Sequence, residues 1–66
     1  MVSLGDMAVL MDEHVGIGDD FSSYVLHPGD SGLVLAISSD EDATVTLLIS
    51  GHIIYVRASS VEKIEV

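Results

Sequence analysis

The sequence predicts an all-β chain folded as a single small domain over residues 1–66. Its apolar residues fall into short runs of β type, and those runs are separated by Gly, Pro, Ser and Asp. No apolar stripe recurs at the three-to-four spacing of an amphipathic helix. These observations give about five strands, with a long first loop and one short helical turn before the last strand.

Met7 to Asp12 (MAVLMD) is the first run, apolar on both sides, so that Leu10 or Val9 has to point outward. The segment EHVGIGDDFSS follows as a long, acidic, glycine-bearing connection, its Gly16 and Gly18 supplying loop flexibility. Tyr24 to His27 leads into a turn at Pro28, Gly29 and Asp30, and Gly32 is expected to make the sharp entry into the next run, Gly32 to Ser38. The polar stretch SDEDA makes the next turn.

Thr44 to Ser50 and His52 to Ala58 then flank a Ser-Gly pair, a hairpin signal with Gly51 as its turn glycine. With Ser50 and Gly51 as the loop, Ile49 faces His52, Leu47 faces Ile54 and Val45 faces Val56 on a core side. The opposite side pairs Leu48 with Ile53, Thr46 with Tyr55 and Thr44 with Arg57. SSVE makes a single tight turn, and Lys63 to Val66 ends the chain as a short strand.

A domain of this size has a thin core, burying only ~60% of the surface its unfolded chain exposes. With no cysteine there is neither a disulfide nor a thiolate metal cluster to reinforce it, which leaves a compact barrel or association. Eleven acidic residues against Arg57 and Lys63 give a formal charge of -9, which repels phosphate and so excludes nucleic acid and anionic membrane as expected partners. Nearly half the chain is hydrophobic, which excludes disorder. The N-terminus lacks the basic start of a signal peptide, and no apolar run reaches the roughly 18 residues of a membrane span. The expected location is the cytoplasm or a virion.

The order of strand, long loop, strand, turn, strand, tight hairpin, strand, single helical turn and short strand resembles the SH3-like small barrel. Within it Gly29-Asp30-Ser31-Gly32-Leu33-Val34-Leu35-Ala36-Ile37 is similar to the turn and strand of KOW-type SH3-like domains. That resemblance implies a closed barrel in which the valine and isoleucine point inward. Small acidic barrels of this general type occur among tailed-bacteriophage proteins. The roles of the wider family do not carry over. Polyproline-binding domains need a groove of several aromatics, and only Phe21, Tyr24 and Tyr55 exist here, while RNA-binding KOW domains need a basic surface.

No residue set points to catalysis. The tetrapeptide Gly29-Asp30-Ser31-Gly32 also surrounds the nucleophile of chymotrypsin-like proteases, but that chemistry needs two barrels and a distant histidine and aspartate around the serine. Asp30 and Ser31 read instead as turn residues. Asp12, Glu13 and His14 alternate in direction along a strand, and neither they nor Asp19-Asp20 or Asp40-Glu41-Asp42 have the spacing of a metal loop, so no metal or cofactor is expected. Gly16-Ile17-Gly18 precedes two aspartates and is unsuited to phosphate.

The excess of apolar side chains is the informative feature. With Val45, Leu47, Ile49, Ile54 and Val56 inside, Leu48, Ile53 and Tyr55 remain outside beside Arg57, more than a lone small domain exposes. The expectation is a non-enzymatic assembly or protein-interaction module, homo-oligomeric or part of a larger particle, most concretely a small viral (phage) structural or accessory protein. Leu48, Ile53, Tyr55 and Arg57 form its interface. The alternative is an acidic regulatory or inhibitory module that occupies a partner's basic groove.

Overall fold

The computed structural model describes residues 2–38 and 43–64. Within them the chain is all-β: β1 (Met7–Leu10), β2 (His14–Gly18), β3 (Ser23–Leu26), β4 (Ser31–Ile37), β5 (Thr44–Ile49), β6 (His52–Arg57), a 3-10 turn at Ala58–Ser60, and β7 (Val61–Lys63). All seven strands belong to one antiparallel sheet in the order β3-β2-β6-β5-β4-β1-β7. The sheet is not closed, and β3 and β7 are its edges.

Seven strands stand where about five are expected from the run lengths, because the long first connection is itself a hairpin. β2 pairs with β3 from His14↔Leu26 to Ile17↔Ser23 and with β6 at Ile17↔Tyr55 and Gly18↔Ile54. Its glycines are therefore packing residues. A Cβ on Gly16 would overlap the Ile54 side chain and stand 3.2 Å from Val56 Cγ1. Their bare backbone lets β2 lie directly on the core. The turn SDEDA falls mostly outside the described residues, as does the end of the chain at 65–66.

The β5–β6 hairpin has the register that its two-residue loop dictates, from Ile49↔His52 through Leu47↔Ile54 to Thr44↔Arg57. Ser50 and Gly51 both have positive φ (51° and 83°), as a hairpin loop matched to the right-handed strand twist requires. At the other marked turn, Pro28 and Gly29 occupy the central positions with Gly29 at φ 97°, and the Asp30 amide donates to the His27 carbonyl at 3.0 Å. This is the geometry of a type II turn, which favours Pro first and Gly second. The Asp30 carboxylate closes it by accepting from the His27 amide at 2.9 Å.

Gly32 is not at a turn. It sits inside β4 opposite Ala8, buried, where a Cβ would stand 2.6 Å from the Leu48 carbonyl oxygen. Ser31 likewise opens the strand opposite Val9 and is exposed. Two residues beyond the glycine, the register of β4 against β5 shifts between Val34 and Ala36, a bulge that bends the sheet.

The bend has a purpose that burial reveals. Ala8, Leu10, Leu26, Val34, Val45, Leu47, Ile49, Ile54 and Val56 are buried on one face, with Val2, Tyr24, Ala58 and Val61 packed around them. No second layer exists among the described elements to cover that face. The sheet must therefore curl over itself, within an envelope of 30 × 25 × 20 Å. Leu10 is on the inside and Val9 on the half-buried outer side, resolving which of the two turns outward.

Two substitutions test this packing. Leu47→Ala should destabilise by about 2–5 kcal/mol through lost burial and a cavity. Gly32→Ala, which adds one methyl against backbone, should cost about 1–3 kcal/mol. Urea unfolding monitored by circular dichroism measures both.

A carboxylate-free apolar face as the candidate interface

The alternation that buries one side of each strand leaves the other outward. Cross-strand register then aligns those outward residues into rows. Met7 pairs with Leu33, Leu33 with Leu48, and Leu48 with Ile53, so one apolar row crosses β1, β4, β5 and β6 without interruption. A second row passes from Ile17 to Tyr55 to Thr46. Met7, Ile17, Leu35, Leu48 and Tyr55 are all exposed, and Ile53 and Leu33 are half-buried.

Among the described residues, carboxylates are absent from the central strands of this face. Among the described residues the acids are Asp6, Asp12, Glu13, Asp19, Asp20, Asp30 and Glu62, and none lies on β4, β5 or β6. Arg57 is the one charged side chain of those three strands. The other cation, Lys63, stands 3.9 Å from Asp6 on the far edge of the sheet. No described carboxylate lies within ion-pair distance of Arg57.

Between β2 and β6 the same face opens into a groove of about 370 Å³, lined by His14, Val15, Ile17, Thr44, Tyr55 and Arg57. The two strands pair only at their Gly18 and Ile54 end. Farther along they diverge, and the Arg57 amide donates to His14 Nε2 at 3.4 Å across the gap. The groove thus combines aliphatic walls, an aromatic ring and a cationic end.

At the opposite end of β2 the hairpin tip is held by Asp20. Its carboxylate accepts from the Ser22 amide at 3.0 Å and from the Tyr24 hydroxyl at 3.4 Å. Backbone bonds from Phe21 to the Gly18 carbonyl and from Asp19 to the Ile53 carbonyl complete the tip. The Tyr24 ring also packs on His52, with centroids 5.2 Å apart. Phe21 lies between these contacts with φ 65° and is 89% exposed. A left-handed conformation costs a non-glycine residue roughly 1–2 kcal/mol, and here no burial of the ring offsets it.

The structure places the expected interface residues Leu48, Ile53, Tyr55 and Arg57 together on one face. It adds Met7, Leu33, Val15 and Ile17, which reach the face through pairings between distant parts of the chain. Pro28, Gly29 and Gly51 are turn residues, and Gly32 is a strand residue under close contact. Among the described residues no three His, Asp or Glu side chains converge where they could hold a metal ion. No helix of the described residues is long and apolar enough to cross a membrane. The chain matches no protein-family model, and no curated protein or solved structure matches it.

The Ser22 amide above all, with smaller help from the Ser22 hydroxyl, the Asp20 amide and last the Tyr24 hydroxyl, stabilises the Asp20 carboxylate and holds its pKa below the ordinary 3.8. Burial and the neighbouring Asp20 charge push the Tyr24 hydroxyl above 10.0. A depressed carboxylate stabilises the fold above its unfolded pKa and loses that contribution as pH falls through the folded one. The raised tyrosine contributes below its unfolded pKa and loses it as pH rises toward the folded one. The hairpin tip should therefore hold steady from about pH 5 to 9 and loosen below 3.8 as Asp20 is protonated. An NMR titration checks this: the Asp20 carboxyl should show a midpoint under 3.8, with the Ser22 amide shifting in parallel.

Proposed function

We propose that this chain is a non-enzymatic assembly module of SH3-like architecture that buries the outer face of β4, β5 and β6 against a protein partner. The architectural part rests on element order: a strand, a hairpin in place of the long first loop, one further strand, a tight hairpin, one 3-10 turn and a short last strand. The functional part rests on one observation. The row Met7, Leu33, Leu48 and Ile53 spans four strands as an apolar surface from which every described carboxylate is absent.

A protein whose formal charge is -9 has acids to spare for its surface. Placing them at loops and strand ends, and leaving three central strands without one, suits a face that loses its water in a complex. Apolar centres with charged residues at the rim characterise such interfaces. Leu48 and Tyr55 retain 37% and 42% of their exposure in the isolated chain, so further burial remains available to drive association.

The test is Leu48→Asp together with Ile53→Asp. Burying an unpaired carboxylate at the centre of an interface costs several kcal/mol, so assembly should weaken by more than about 100-fold. The strand signal in circular dichroism should survive, since Leu48 is already exposed and Ile53 half-buried. A folded double variant with the assembly mass of the unaltered chain would contradict the reading. Salt separates it from the alternative of an acidic module in a basic groove: an apolar contact between acidic chains holds or tightens as salt rises, whereas an acid-to-base contact weakens.

A further inference from the structure

We propose that the partner on this face is a second copy of the chain, which docks by its β2–β3 tip: Phe21 enters the groove between β2 and β6, and Asp19 and Asp20 meet Arg57. This rests on the assembly reading above and names its partner.

The tip has the properties of an anchor. Gly or Asn is the ordinary residue for a positive-φ turn position, because a side chain there meets its own backbone. Phe21 occupies that position with its ring almost wholly in water, so neither turn chemistry nor core packing accounts for it. The Asp20 bonds to Ser22 and Tyr24 fix the tip, which limits the ordering cost when the ring is buried elsewhere. An exposed aromatic on a preordered turn gains most by entering an apolar site on another molecule.

That site cannot be its own groove's far end. Tip and Arg57 lie at opposite ends of β2, whose five residues span roughly 13 Å between first and last Cα. Charge selects the groove on a second molecule. Asp19 and Asp20 directly precede Phe21 in the tip, and Arg57, lacking a described carboxylate partner, closes the groove beside Val15, Ile17 and Tyr55. The chain has a larger apolar cavity of about 520 Å³, lined by Val2, Ile37, Val45, Ala58 and Val61. Its lining carries no cation to receive an acidic tip.

Phe21→Gly tests the anchor without harming the fold, since glycine adopts positive φ freely. Thermal stability of the variant should equal or exceed that of the unaltered chain at dilution, while its self-association weakens by at least tenfold in sedimentation equilibrium. Unchanged association would overturn the proposal. Charge reversal supplies the second readout. Asp19→Arg and Arg57→Asp should each weaken self-association, and an equimolar mixture of the two variants should recover it, because each then offers a complementary tip or groove to the other. Failure of the mixture to recover counts against the pairing. Loss of assembly in the Leu48→Asp, Ile53→Asp variant with none in Phe21→Gly would leave the assembly reading standing and this docking mode refuted. A chain that stays monomeric at millimolar concentration refutes both this docking mode and self-assembly.

Discussion

Contact between the inner sides of β5 and β6 is what the rest of the molecule depends on. Val45 and Leu47 pair with Val56 and Ile54, and all four are essentially without solvent exposure. Ile49 extends the same hairpin, and the remaining core residues join it from other strands: Val34 from β4, Ala8 and Leu10 from β1, Leu26 from β3. The described residues hold no helical layer to set against it. Burial therefore demands that one sheet fold over its own inner face, and glycine makes that possible where strands come closest. Gly16 admits Ile54 and Val56, and Gly32 admits Ile49 and the Leu48 backbone.

That solution determines the outside as well. A sheet curled around nine buried hydrophobic side chains has used one side of each strand, and no described element is left over to cover the other. In an isolated small domain polar residues would fill those outward positions. Here Met7, Leu33, Leu48 and Ile53 fill them, and the described acids are confined to loops, strand ends and β7. The two edges differ in the same sense. β7 carries Glu62 and Lys63, charges that discourage further strand pairing, whereas β3 is short and uncharged. Acid at the periphery keeps the chains apart unless they meet through the central face, which gives the contact its selectivity.

Much of this was readable from local pattern. The β5–β6 register followed from two loop residues and a period of two, and it placed Leu48, Ile53, Tyr55 and Arg57 on one side without reference to any other strand. The Pro28-Gly29 turn was equally local. What escaped sequence reasoning depended on distant pairing. Nothing near Met7 or Leu33 announces that they continue the Leu48 row, because those partners are set by how β1 and β4 meet β5. The hairpin of β2 and β3 was hidden because His14 to Gly18 has glycine at two of its inward positions, which reads as a loop until Ile54 is seen lying against it. Gly32 misled in the same way: its neighbours in sequence suggest a turn, and its neighbours in space are the Leu48 backbone and Ile49. Phe21 carried no signal at all, since a positive φ at an aromatic residue runs against its ordinary preference.

The central claim is that the carboxylate-free face is completed by another copy of the same chain. Sedimentation equilibrium of the unaltered protein over a wide concentration range, at low and high salt, addresses it most directly. The account predicts a mass that rises above 7.0 kDa with concentration and rises further at high salt, because screening relieves the repulsion between two chains of formal charge -9 by more than it weakens the few Asp-to-Arg57 contacts, while the apolar contact is kept. A mass of 7.0 kDa at every concentration and both salt levels would contradict it.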